Sequence, residues 1–105
     1  MHARVTLLEI DTLRTTMADA LARFQDETLP RLRQQPGYLG VWVLATPEGK
    51  GLLMSLWETE AEADVEGDHG YYQQELGRFT TLFRSPPGRE EYEVLFVDEP
   101  SQQPG

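Results

Sequence analysis

Few side chains in this chain can move a proton near neutrality. His2 and His69 are its two histidines, and it has no cysteine. His69 has the intrinsic pKa for the task, and it stands just ahead of Tyr71 and Tyr72, whose phenols can hydrogen-bond an oxygen of a bound molecule. Upstream, Met54, Ser55 and Trp57 fall in one largely apolar run, and Trp42 falls in the run before it. An indole offers a wide stacking surface with a single donor, and methionine an adaptable apolar one. The combination points to a flat apolar ligand held by Trp57, Trp42, Tyr71, Ser55 and Met54, with His69 and Tyr72 managing its protons. Each residue also has a plainer role. A loop histidine faces solvent, a tyrosine packs in a helix stripe, Trp42 covers a sheet face, and Trp57 anchors a core or a dimer.

Other chemistries are excluded or weakly supported. Without cysteine there is no disulfide, thiolate metal site or thiol nucleophile, and neither histidine has a spaced partner that suggests a Ser-His-Asp arrangement. Glu58, Glu60, Glu62, Asp64, Glu66 and Asp68 form an acidic ladder, and the spacing of Asp64, Glu66, Asp68 and Glu75 is loosely that of a calcium loop. The sharp turn of such a loop needs glycine at its sixth position, and His69 stands there. No metal site is expected, and the ladder reads as a solvated helix face. Glu48-Gly49-Lys50-Gly51 reads as a hairpin turn rather than a phosphate loop. A formal net charge of -9 repels a phosphate backbone or an anionic membrane. With no leader-like or membrane-length apolar run, the chain reads as cytoplasmic.

The elements that would position these residues follow from period and punctuation. Residues 3 to 10 read as a strand, with Ala3, Val5 and Leu7 alternating against Arg4, Thr6, Leu8 and Ile10. Asp11 or Thr12 is the expected N-cap of a helix whose stripe runs Leu13, Met17, Leu21, Phe24, Thr28, Leu32. Pro30 cannot donate to the carbonyl of Asp26, so a kink or restart is expected there, and Pro36-Gly37 ends the run. Residues 38 to 57 then form a hairpin turning through Thr46 to Gly51. Thr59-Glu60-Ala61-Glu62 fits a capping box. Asp68 is expected to cap a second helix with Tyr72, Leu76, Phe79 and Phe83 inward, and with Gln73, Gln74, Glu75 and Arg78 in water. A last strand is expected from Arg89 to Asp98.

The order is βαββαβ, a ferredoxin-like α+β arrangement in which an antiparallel four-stranded sheet carries helices on one face. It implies one domain over residues 1–98, with a disordered tail over 99–105. The strands are apolar on both faces, and Leu8, Ile10, Leu53, Trp57, Leu95 and Val97 are assigned to the uncovered one. A sheet with one helical layer leaves such a face open, so a homodimer through the sheet face is expected.

The helix ending Leu29-Pro30-Arg31-Leu32-Arg33-Gln34-Gln35, the entry Pro36-Gly37-Tyr38-Leu39-Gly40 and the exit Leu56-Trp57-Glu58-Thr59-Glu60-Ala61-Glu62-Ala63 resemble the antibiotic biosynthesis monooxygenase group of dimeric α+β barrel proteins. The resemblance spans most of the chain. It implies oxidation of a planar aromatic molecule by molecular oxygen with no cofactor, neither metal nor flavin, with Trp57 at the position of the pocket tryptophan. The haem-degrading branch of that group uses an asparagine in the first strand. This chain has no asparagine, and Thr6 or Leu8 stands in that strand, so a complete haem triad is not possible. A non-catalytic ligand-binding or interaction protein of the same fold is the alternative.

Overall fold

The structure is a computed structural model and describes residues 1–64 and 70–98. Its sheet has the order β2-β3-β1-β4, with β1 at His2–Glu9, β2 at Tyr38–Ala45, β3 at Lys50–Trp57 and β4 at Gly88–Glu93. All three pairings are antiparallel, which makes the fold α+β and ferredoxin-like in connection. The last strand stops at Glu93 instead of Asp98. Glu93 pairs with His2, the first residue of β1, so beyond it the neighbouring strand has run out, though the Val94 amide still donates to the Met1 carbonyl. Leu95 and Val97 therefore reach no sheet face, and Leu95 is 85% exposed.

The first helix begins later than expected. Asp11 spends itself on a turn, accepting from the Leu13 amide at its side chain and from the Arg14 amide at its carbonyl. Leu13 is left exposed. Thr16 is the N-cap instead, its hydroxyl accepting from the Asp19 amide at 3.1 Å, and α1 runs Met17–Arg23. The expected break at Pro30 takes the form of a π turn over Phe24–Thr28, closed by the Leu29 amide on the Phe24 carbonyl. With no N–H on Pro30 to continue the α ladder, the wider turn absorbs one extra residue. A short α2, Leu29–Leu32, follows.

After β3, Thr59 caps α3, Glu60–Ala63, by accepting from the Glu62 amide. The Glu62 carboxyl answers on the Thr59 hydroxyl, not on its amide. Then α4 covers Tyr71–Gly77 behind Gly70 at φ 84°, and a 3₁₀ turn covers Thr80–Leu82. Asp68, the expected cap, lies outside the described residues, as do His69, Glu66 and residues 99–105. Among the described residues no helix is long and apolar enough to cross a membrane.

Facing residues in the register share a side of the sheet. Arg4 lies between Ser55 and Glu91, Thr6 between Leu53 and Arg89, and Val43 faces Leu53. This is the side the helices cover, so Leu8, Ile10, Leu53 and Trp57 lie under the helices, and their assignment to the open face is corrected. The alternation left either face eligible, since both carry apolar groups. The open face instead carries Ala3, Val5, Leu7, Leu52, Met54, Leu56, Trp42, Leu44 and Tyr92. Trp42 and Leu44 are 53% and 54% exposed there.

The core gathers at one end of the covered face. Leu32, Trp57 and Ala63 are buried together, with Phe24, Leu29, Tyr38 and Val41 against them. Gly37 makes the bend that brings β2 into this cluster. Its φ is 77°, and a Cβ there would overlap the Glu62 carboxyl. Gly37→Ala should cost at least about 1–2 kcal/mol for the left-handed backbone alone, and more because Glu62 must leave its cap. Urea unfolding followed by circular dichroism checks this, and an unchanged midpoint would refute it.

Candidate functional site

A cavity of about 120 Å³ opens between the covered sheet face and the helices. That is near the size that takes a single aromatic ring. Its walls are almost wholly apolar. β1 and β3 supply Leu8 and Leu53, α1 and the π turn supply Leu21 and Phe24, and the chain after α4 supplies Phe79 and Phe83. Val43, 40% exposed, also lines it and marks its mouth.

Six side chains interrupt the apolar lining: Arg4, Thr6, Thr28, Ser55, Tyr72 and Glu75. All are buried. The Thr6 and Tyr72 hydroxyls share a hydrogen bond of 2.8 Å, which either can donate. Arg4 donates from Nε to the Ala63 carbonyl at 2.9 Å and from Nη2 to the Glu62 carbonyl at 3.4 Å. Its guanidinium lies over the Trp57 ring at 4.8 Å and the Tyr72 ring at 5.2 Å, a pairing of cation and π face that is strongest away from water. Glu75 accepts at Oε2 from Arg31 and Arg78, at 3.4 and 3.3 Å.

The residues expected at the site divide into three groups. Ser55 and Tyr72 line the cavity. Trp57 stands behind it, 2% exposed; its indole N–H donates to Ser55 Oγ at 2.9 Å, and its edge meets the Tyr38 ring, with centroids 5.9 Å apart. The indole packs in the core and holds a cavity residue in place. Trp42 and Met54 pair with each other on the open face, so the sheet itself separates them from the cavity. His69 and the Tyr71 side chain lie outside the described residues. Burial raises the Tyr38 phenol above its ordinary value, with the Arg33 charge pulling the other way.

Arg4, Thr6, Thr28 and Glu75 are the polar members that sequence reasoning did not place here. Their signal is present in the spacing. Arg4 and Thr6 share the parity of Leu8 and Ile10, and Thr28 sits within the stripe of Leu21, Phe24 and Leu32. Glu75 stands three residues after Tyr72 and four before Phe79, which puts it on their face of the helix instead of in water. Among the described residues no three His, Asp or Glu side chains come together as a metal site.

No protein-family model matches the chain, and no curated protein matches it in sequence. Solved structures do. A Bordetella bronchiseptica protein assigned to the antibiotic biosynthesis monooxygenases superposes with a TM-score of 0.72 at 18% identity, over 90% of this chain and 97% of that one. A Streptomyces coelicolor monooxygenase in complex with nanaomycin D gives 0.70 at 20% identity, over 95% and 92%. A variant of MhuD with two manganese protoporphyrin IX bound per active site gives 0.63 at 13%, over 95% and 100%. At these identities the likeness is one of fold.

Proposed function

We propose that the cavity between sheet and helices binds a small planar aromatic molecule, which the protein oxidises with molecular oxygen and without metal or flavin. The observation that carries this is an apolar, ring-sized cavity with a few polar groups buried in its lining, the usual makeup of a small-molecule site. The fold shared with solved monooxygenases, one of them in complex with a small ligand, supports the reading. Tyr72, held by Thr6, is proposed to hydrogen-bond the substrate oxygen, with Ser55 beside it. His69 is proposed to receive the proton from the segment preceding α4, and Tyr71 to complete the substrate contacts.

For an anthrone, with one ring in the cavity and the others at the Val43 mouth, the step balances simply. Two hydrogens leave the ring methylene, one atom of dioxygen becomes the new carbonyl, and the other departs with both hydrogens as water. An oxygen electrode with a hydroxylated anthrone should record enzyme-dependent uptake, falling by about 10²-fold or more in Tyr72→Phe and in His69→Ala if these groups transfer protons. Uptake unaffected by both variants would remove them from the mechanism.

One observation favours the rival reading, a ligand-binding or interaction protein without chemistry. The indole N–H of Trp57 is spent on Ser55, and Ser55 Oγ in turn donates toward the Arg4 carbonyl at 3.5 Å, so two of the expected site groups satisfy partners of their own. Calorimetric binding of the anthrone without oxygen uptake would decide for this rival.

The second copy is proposed to sit on the open sheet face. Leu7, Trp42, Leu44 and Tyr92 are exposed there, large apolar side chains from β1, β2 and β4 on one face of the sheet, the kind of patch that marks an interface. Its burial in a homodimer would give a chain of this length the extra apolar contact that small domains lack.

A further inference from the structure

Two polar atoms at the cavity are left over from folding. Thr28 Oγ1 and Glu75 Oε1 are buried side-chain atoms with no hydrogen-bond partner, and both residues line the same cavity. Buried polar atoms are nearly always paired, so an orphan asks for a partner the protein does not supply. Neither is an accident of a loose surface, since Thr28 is 6% and Glu75 7% exposed.

Local structure explains how each comes to be free. A threonine inside an α-helix commonly returns its hydroxyl to a carbonyl of the preceding turn. Thr28 instead closes the π turn that Pro30 imposes, and its hydroxyl makes no such bond. Glu75 is divided between its two oxygens: Oε2 takes both Arg31 and Arg78, whereas Oε1 takes nothing. A carboxylate oxygen can only accept, so its missing partner is a donor.

We infer that the cavity is built for a ring bearing a hydroxyl group, a phenol or enol, whose O–H donates to Glu75 Oε1 with the Thr28 hydroxyl as a second polar contact. This rests on the small-aromatic reading of the cavity and narrows its substrate class. A cationic amine could also donate, but the Arg4 guanidinium lines the cavity and two more guanidinium groups stand at the far oxygen of Glu75. A carboxylate ligand would meet Glu75 itself. A neutral hydroxyl escapes both repulsions, and the apolar walls accept its ring.

The test compares phenol with anisole, which keeps the ring and removes the donor, by titration calorimetry. The wild type should prefer phenol by about 10- to 100-fold, the usual worth of a hydrogen bond to a charged group. In Glu75→Leu the preference should collapse while anisole still binds, an outcome that general damage to the cavity would not produce. Thr28→Val preserves shape and should reduce the preference more modestly, and it serves if the leucine variant does not fold. Equal binding of the two compounds to wild type, or a preference surviving in the folded variants, overturns the hydroxyl inference and leaves the aromatic cavity standing. If neither compound binds, the cavity reading falls and this inference with it.

Discussion

Replacing Trp57 with alanine should remove about 3–5 kcal/mol of stability, the range for deleting a buried aromatic side chain. A domain of this size commonly has about 5–15 kcal/mol in all, so Trp57→Ala should be at the edge of folding at room temperature. Three separate contacts are lost together. The indole fills the cluster of Leu32 and Ala63, lies under the Arg4 guanidinium, and donates to Ser55 Oγ. Trp57→Phe keeps most of the packing and gives up only the N–H, so its urea midpoint should fall much less. A small loss in the alanine variant would show that the indole is no anchor. Because Ser55 and Arg4 both line the cavity, the phenylalanine variant should also loosen the site without exposing it.

Trp42→Lys should convert a dimer into a folded monomer. Sedimentation equilibrium of the wild type at micromolar concentration is expected to give twice the protomer mass, and the variant the protomer mass alone. Trp42 is about half exposed in the single protomer, so a lysine there can keep its ammonium in water and leave the fold intact. In the proposed interface the same residue is a large apolar side chain of the edge strand β2, beside Met54 on the open face. Tryptophan at such a position typically contributes about 2 kcal/mol or more, and an unpaired charge taken out of water adds several more. A wild type that sediments as a protomer would refute the interface. A variant that still dimerises would move the interface elsewhere.

The contrast between Trp57 and Trp42 shows what periodicity can carry. Alternation is enough to say that β1, β2 and β3 are apolar on both sides, but not which side the helices choose. Arg4 and Thr6 look like a solvent side, and they turn out to face the helices because Tyr72, Trp57 and the Ala63 carbonyl satisfy them there. Those partners lie more than fifty residues away along the chain, so no local pattern announces them. Caps were legible when the competing turn was absent. Thr59 caps as expected, while Asp11 is diverted by its own turn and yields to Thr16. The kink at Pro30 was legible from a missing N–H, but its form as a π turn, which sets Thr28 free, was not. The element order and hairpin, dictated by Gly, Pro and hydrophobic period, needed no long-range knowledge.

The placement of β1 has a consequence for how the chain comes to be. β1 is made before either of its partners, Lys50–Trp57 on one edge and Gly88–Glu93 on the other, yet it lies in the interior of the sheet. While the chain emerges, the β2–β3 hairpin closes on neighbouring sequence; β1 waits with both of its edges unpaired until β3, and then β4, has been made. Pairings across such separations must meet the entropy of closing a long loop before they return any contact. The strand made before its partners is thus among the last to be fully bonded, and a chain cut short before Gly88 leaves the middle of its sheet as an open edge.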